Sequence, residues 1–441
     1  MAARRVCIDG FNLSLSKGSG IATYGRNLGR ALSGLGYETQ VLYGPPEKPG
    51  GDNLLNEIAL FDAPKTVPQP KRRRWYQRGP VPHEMPRAVR VIASGEVVDG
   101  LGSDTAAGAS VAWSAFDIFH GANRQHGRSG AFTTLGFGAP GDRPFELMHW
   151  TCPLPIRAER IPNVYTIHDV VPLRFPYATL DNKARFQSLC AWICREADHV
   201  VTVSETTRRD VIRIFGVDEA RITNAYQAVD LPPEVISRSE NDVAAEVEAI
   251  FGLAWRRYFL FFGAIEPKKN LARLIEAYLG SGAADPLVIV GGQSWLEESQ
   301  TGLLSDSLIG RRRIEDNIVR QVDRVRRYEF LPRTTLASLI RGAKATLFPS
   351  LYEGFGLPVL ESMLLGTPVL TSTGGALPEV AGDAAILVDP YDVHAIRRGI
   401  QALEADGDLR DSLRARGAGQ ALKFSSSAYR ERLGAIYQGL L

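Results

Sequence analysis

The chain has 441 residues, enough for two or three domains of ordinary size. Its 51 lysines and arginines against 49 aspartates and glutamates leave a formal charge of +2, which argues against a dedicated nucleic-acid binder. With 44% hydrophobic and 23% charged residues the chain is not predominantly disordered, and with four cysteines it is not a disulfide scaffold.

Chain order gives an alternation of short apolar runs and amphipathic stretches. Residues 5–9 (RVCID) read as a first strand, and residues 23–35 as a helix stopped by Gly36. Further strands are expected at 39–43, 116–120, 145–149, 164–167 and 200–203, with a helix over 181–197. Residues 230–248 are polar and contain the Pro232–Pro233 pair, so a domain boundary is expected there. A second series follows, with strands at 258–262, 287–290, 327–331, 346–348, 369–371 and 386–388. Helices are expected at 271–279, 334–341, 358–365 and 393–403. Two successive doubly wound α/β units with mostly parallel sheets fit this pattern. Cys190 and Cys194 are one helical turn apart, so with Cys7 and Cys152 they read as buried thiols. The apolar run after Arg4 and Arg5 ends at Asp9, and no stretch approaches ~18 apolar residues. Neither a signal peptide nor a membrane span is expected, and the location implied is cytoplasmic.

One segment departs from the alternation. Between Pro64 and Pro82 the chain carries Lys65, Lys71, Arg72, Arg73, Arg74 and Arg78 with no acidic residue, and Trp75 and Tyr76 lie inside the basic run. A solvated loop is one reading. The other is peripheral contact with an anionic membrane through Lys71, Arg72, Arg73, Arg74 and Trp75, each basic residue contributing about 1 kcal/mol.

Four motifs carry candidate chemistry. Lys17–Tyr24 (KGSGIATY) has Thr23 where a dinucleotide fingerprint needs its third glycine, so a nicotinamide enzyme is not expected. Its glycines, Gly18 and Gly20, still offer bare N–H groups at a helix start to an anion. Residues 349–368 (PSLYEGFGLPVLESMLLGTP) place Glu353 and Glu361 eight apart around Gly354, Phe355, Gly356 and Leu357, as strand, tight loop and helix. Two carboxylates there could accept hydroxyl hydrogen bonds from one sugar-bearing ligand at the C-terminal edge of a sheet. Gly263–Asn270 (GAIEPKKN) places Lys268 and Lys269 at the same edge, suited to a diphosphate. Residues 166–169 (TIHD) put His168 at a strand end, where Asp169 is expected to fix its tautomer. The D-x-D at Asp406–Asp408 reads as a helix terminus, and no metal requirement is expected.

Together, CIDGFNL, GSGIATYGRNLGRAL, TIHDVVPLRFP, VTVSETTRRDVIRIFGV, FFGAIEPKKNLARLIEAY and FPSLYEGFGLPVLESMLLGTPVLTSTGGALPEVAG resemble glycosyltransferase family four, in the family's order. The pair IDG and EPKKN looks like mannosyl- and rhamnosyltransferases of polysaccharide assembly. The resemblance implies a GT-B fold: Rossmann-like doubly wound domains facing across a cleft. Residues 1–235 would bind the acceptor and 236–424 the donor, and 425–441 would form a helix crossing back. It further implies a retaining, metal-independent transfer of a hexose from a nucleotide-diphosphate sugar, GDP-mannose first. The acceptor would be a saccharide or lipid-linked saccharide. Lys269 would hold the diphosphate, Glu361 the ribose and Glu353 the hexose. The loop from Gly354 to Leu357 would lie beside the hexose, His168 near the transferred sugar and Gly20 near the phosphates or acceptor. Ala264 stands where the resemblance leads one to expect arginine, so either Lys268 compensates or one phosphate contact is missing. A sugar-nucleotide epimerase or hydrolase, and a non-catalytic subunit of glycan assembly, remain alternatives on the same architecture.

Overall fold

The computed structural model describes residues 4–13, 20–48, 50–61, 85–97, 107–231, 233–292, 310–315 and 318–441. Gly18 and the basic residues Lys71, Arg72, Arg73, Arg74 and Trp75 lie outside these described residues.

The first sheet is built from β1 (Arg5–Asp9), β2 (Glu38–Tyr43), β3 (Arg87–Val91), β4 (Val111–Ser114), β5 (Thr133–Phe137), β6 (Leu147–Trp150), β7 (Ile156–Ala158), β8 (Asn163–Ile167), β9 (His199–Thr202) and β10 (Ile222–Asn224). Its order is β10-β9-β8-β6-β1-β2-β4-β3-β5-β7. The pairs are parallel except β3 with β4. The strand order reverses direction beside β1, so the turns after β1, β6 and β8 gather at one edge, the usual ligand edge of such a sheet.

The second sheet contains β11 (Phe259–Phe262) and β12 (Leu287–Val290). A separate antiparallel pair follows in the chain, β13 (Gly310–Glu315) and β14 (Ile318–Asp323). The sheet is completed by β15 (Val325–Tyr328), β16 (Ala345–Phe348), β17 (Val369–Ser372) and β18 (Ala385–Val388), in the order β15-β12-β11-β16-β17-β18, all parallel. Phe259, Leu260, Phe261, Leu287, Val288 and Ile289 are fully buried, as strands covered on both faces must be.

One expectation needs correction. Residues 116–120 are not a strand: Asp117 turns the chain at φ 45°, and the helix Ile118–Ser129 begins. Ile118, Ala122 and His126 recur every four residues and form its buried face, so a short apolar run concealed a helical period. The polar stretch 230–248, where a domain boundary is expected, also holds the start of a helix. Ser239 caps the helix Glu240–Phe251, accepting from the Asp242 N–H at 3.1 Å, and Val243, Val247 and Phe251 pack into the second core.

The last helix, Ser426–Gln438, lies against the helix Gly20–Gly34 of the first sheet. Tyr437 meets Tyr37 edge-on with ring centres 5.9 Å apart, and its hydroxyl bonds His149 Nδ1 at 2.5 Å. The His149 Nε2 meets Thr166 Oγ1 at 2.7 Å, which in turn meets the Tyr24 hydroxyl at 2.8 Å. Burial pushes the His149 imidazole down to about 3, with His168 and His199 adding to it, so this ring is neutral and serves as a structural tie. Cys7, Cys152, Cys190 and Cys194 are all buried free thiols.

Candidate functional site

The turns after β8, β11 and β16 meet between the two sheets. Gly354 is where they touch: a Cβ placed there would lie 2.2 Å from the His168 carbonyl oxygen and 2.8 Å from Asp169 Cβ. Only glycine fits such a backbone approach. Thr207 fastens the junction, its hydroxyl reaching the carbonyls of His168 at 3.1 Å and Gly354 at 3.4 Å.

Glu353 precedes this contact and is buried. Lys269 Nζ donates to its Oε1 at 2.7 Å, and Lys268 Nζ stands 3.9 Å from Oε2. Burial pushes the Glu353 carboxyl up, but the two ammonium groups outweigh it and hold it below the usual carboxylate range. Burial likewise draws Lys268 down, while Glu353, Asp169, Glu266 and Asp181 raise it further and keep it charged. The residues anticipated for phosphate and hexose thus pair with each other, and Lys269 also sits 4.9 Å above the Phe348 ring.

The lysines stand on a tight turn, Pro267–Lys269, that ends at Asn270 in the left-handed region with φ 61°. The Asn270 amide donates to the carbonyls of Pro349 at 3.0 Å and Pro390 at 2.6 Å, and the Leu351 N–H donates to the Lys268 carbonyl at 2.7 Å. Asn270 is the hub the motif reading lacked; an asparagine closing the lysine turn, a residue type that tolerates left-handed backbone, is the signal that marks it. Gly263 itself has φ 134°, and its carbonyl leaves room at Gly291 for no Cβ, which would lie 2.0 Å away.

Glu361 lies one turn into the helix Leu357–Leu364 and is half-buried. Among the described residues its carboxylate accepts no hydrogen bond. Burial pushes it up to about 7 against the opposing charge of Arg333. A carboxylate left without donors at such a depth is suited to a ligand that brings them. Gly356, at φ 111°, opens this helix with no side-chain cap, and Phe355 packs edge-on to Phe424 at 5.5 Å. Gly20 begins its helix with Leu357 Cδ1 3.5 Å from where a Cβ would be, so the starts of the helices Gly20–Gly34 and Leu357–Leu364 face each other.

His168 departs from expectation. Its Nε2 bonds the Thr151 carbonyl at 2.7 Å, while the Asp169 carboxylate accepts from the Val171 N–H at 3.0 Å. A carbonyl only accepts, so Thr151, not Asp169, fixes the tautomer with the proton on Nε2 and a lone pair on Nδ1. Asp9, buried at the end of β1, accepts from the Thr151 N–H and so orders this support. Burial lowers His168, opposed by the Thr151 bond and by Asp169. A cavity of about 460 Å³ opens beside the pair, lined by Asp169, Pro172, Asp181, Phe186, Glu266 and Lys268.

A second carboxylate clamps the halves together. Glu379 accepts from the N–H groups of Glu205 at 2.6 Å and Thr206 at 3.1 Å, and from the Thr206 hydroxyl at 3.0 Å. It thereby caps the helix Glu205–Phe215 from the opposite sheet's side. Asp406 of the D-x-D caps the helix Gly407–Ala421.

Residues 254–420 match the family model described as Glycosyl transferases group 1, and residues 144–232 that described as Glycosyltransferase Family 4. An O-antigen chain mannosyltransferase B of Escherichia coli is 32% identical over 277 residues, which are 62% of this chain and 68% of that protein. An O-antigen chain mannosyltransferase RfbU of Salmonella typhimurium is 27% identical over 256 residues, 58% of this chain and 63% of that one. The Anabaena Alr3699/HepE structure with UDP and glucose superposes with TM-score 0.63 at 12% identity, covering 99% of this chain and 100% of that one. WaaG, a glycosyltransferase involved in lipopolysaccharide biosynthesis, superposes with TM-score 0.57 at 13% identity, covering 98% and 99%. At such identities the structures show a shared GT-B fold. The chain belongs to the family-four glycosyltransferases.

Proposed function

We propose that the protein transfers a hexose, mannose first, from a nucleotide-diphosphate sugar to a saccharide or lipid-linked saccharide acceptor in surface polysaccharide synthesis. The observation that carries this reading is the Glu361 carboxylate, left without a hydrogen-bond donor among the described residues, in the helix that follows the loop whose Glu353 pairs with Lys268 and Lys269. Glu361 accepts the ribose hydroxyls. Lys269 exchanges part of its hold on Glu353 for the diphosphate, and Glu353 is released to orient the hexose hydroxyls. Charge that grows on the leaving diphosphate meets Lys268, Lys269 and the uncapped helix start at Gly356, a prearranged electrostatic environment. The acceptor comes from the side of the 460 Å³ cavity, where Asp169 and Asp181 offer hydroxyl partners. His168 Nδ1 is the acceptor available beside it. That the relatives are mannosyltransferases supports mannose as the sugar, and the donor proposed is GDP-mannose. Glu353 is a sugar-orienting group here and not a nucleophile, and the reaction retains anomeric configuration without a metal.

A thermal-shift panel of GDP-, UDP- and dTDP-sugars tests this directly. A donor at 100 times its Kd stabilises the fold by about 2.7 kcal/mol. GDP-mannose is expected to raise the melting temperature in wild type and not in Glu361→Ala. No shift with any nucleotide sugar refutes the reading.

The same proposal includes a peripheral membrane contact. The helix Asn53–Phe61 precedes the basic segment in the chain and exposes Leu54, Leu55 and Ile58. Flotation with anionic vesicles is expected for wild type and not for the variant with Arg72, Arg73 and Arg74 replaced by serine. Equal flotation removes this element.

A further inference from the structure

A second cavity, of about 470 Å³, opens where Arg174, Arg209 and Arg213 face Tyr352, Gly374 and Gly375 across the cleft. Its charge is unbalanced. Among the described residues the single carboxylate in its lining is Asp210, which is buried. Asp210 Oδ1 takes Arg213 at 2.5 Å and Arg174 at 3.4 Å, and its Oδ2 accepts from the Tyr352 hydroxyl at 2.5 Å. Arg209 has only two long bonds of 3.4 Å, to the Glu205 carbonyl and the Thr206 hydroxyl, and no carboxylate partner among the described residues. The nearby Glu379 spends both oxygens on the N–H groups of Glu205 and Thr206. Three guanidinium groups thus share the lining with one carboxylate, which pairs with two of them, and most of their five N–H donors each are unspent.

Two features make this more than a solvated basic surface. The arginines stand on two elements, the turn at Arg174 and the helix Glu205–Phe215, and the buried Asp210 gathers two of them. The opposite wall comes from the second sheet: Tyr352 adjoins Glu353, and a Cβ on Gly375 would lie 2.3 Å from the Glu353 carbonyl oxygen. The cavity thus shares a wall with the Glu353 loop but is lined by none of the residues assigned to the donor.

We propose that this cavity is a second oxyanion site, taking a phosphate group in bidentate contact with Arg174, Arg209 and Arg213 when the cleft is closed. Guanidinium groups suit this geometry because their paired N–H groups match two phosphate oxygens. The phosphate is either the free ion or a phosphoryl group carried on the acceptor. Because the Tyr352 hydroxyl binds the aspartate that holds the arginines, filling the site steadies the Glu353 loop.

Titration calorimetry on the full chain tests it, with inorganic phosphate and octyl phosphate as probes and GDP as the donor-site control. Wild type is expected to bind a phosphate probe with Kd on the order of millimolar. The double variant Arg174→Gln/Arg213→Gln is expected to weaken that binding about tenfold or more while leaving GDP affinity unchanged. Lys269→Met is expected to do the reverse. Arg209→Gln, at an exposed position without an ion-pair partner, keeps the test open should the double variant fail to fold, and is expected to weaken phosphate about threefold. Tighter binding of octyl phosphate than of phosphate identifies an acceptor-borne group, and equal binding the free ion. Phosphate affinity unchanged in the arginine variants, or no binding of either probe below roughly 50 mM, overturns the proposal.

Discussion

Replacing Gly354 by alanine perturbs the site through one methyl group. The added carbon would stand 2.2 Å from the His168 carbonyl oxygen, more than an ångström inside ordinary contact, which begins at 3.4 Å. It would also lie 2.8 Å from Asp169 Cβ. The obstructing oxygen is backbone, so no flexible side chain can swing aside; the Glu353 loop or the His168 turn must withdraw. Overpacking of this kind costs about 1–3 kcal/mol, which lowers the closed arrangement about 5- to 150-fold. A misplacement near 1 Å at the reacting groups costs about 100-fold in rate. The contact lies between the two sheets and not within either core, so the penalty falls on closure and not on folding. The expected result is kcat/KM down by about 10- to 100-fold with a melting temperature near wild type, measured by transfer assay and calorimetry. Gly419→Ala, where a Cβ meets nothing within 4 Å, is the control and is expected to be silent. Full turnover in Gly354→Ala would refute the closed-cleft geometry.

Three further outcomes follow from particular residues. Glu361 sits near 7 in the free protein and offers both oxygens as strong acceptors to two hydroxyls when ionised, so donor affinity is expected to rise with pH up to about 7 and then level. Calorimetry at acid and neutral pH should show proton release on binding below that point, and Glu361→Gln should flatten the profile; a variant with the same slope contradicts the ribose role. His149 is depressed to about 3 from an ordinary 6.5, so the unfolded chain binds the proton first and stability is lost as pH falls from 6.5 towards 3. Denaturant melts of His149→Gln should be less acid-sensitive in that window. Removing the cross-cleft cap in Glu379→Ala is expected to cost about 1–2 kcal/mol of closure, read as a 5- to 30-fold loss in kcat/KM that Glu379→Gln partly restores.

The central strands and the order of motifs were legible because strands buried on both faces leave unbroken apolar runs, as in Leu287–Val290 and Ala345–Phe348. The strands Arg87–Val91 and Ile156–Ala158 carried no such signal: Arg90 and Arg157 are exposed at the sheet's far end, so neither reads as an apolar run. The helix Glu240–Phe251 was hidden by its polar face, since only three residues enter the core. In the candidate site, spacing singled out Glu353, Glu361 and Lys269 as candidates but said nothing of the side chains and carbonyls they and their neighbours pair with. That Lys269 closes on Glu353 depends on two turns 84 residues apart, and that Thr151 holds His168 depends on neighbouring strands β6 and β8. Such pairings are set by sheet order, which a linear pattern does not encode. Asp210, Tyr352 and the arginines around them were invisible for the same reason.

Proton NMR of the anomeric signals tests the transfer itself. Wild-type protein is incubated with GDP-mannose and a lipid-linked saccharide acceptor, with and without EDTA. The expected result is one released GDP per α-mannosyl linkage formed, the donor's configuration retained and EDTA without effect. GDP-mannose consumed to free mannose or an epimer without acceptor, or activity lost in EDTA and restored by Mn²⁺, would contradict it.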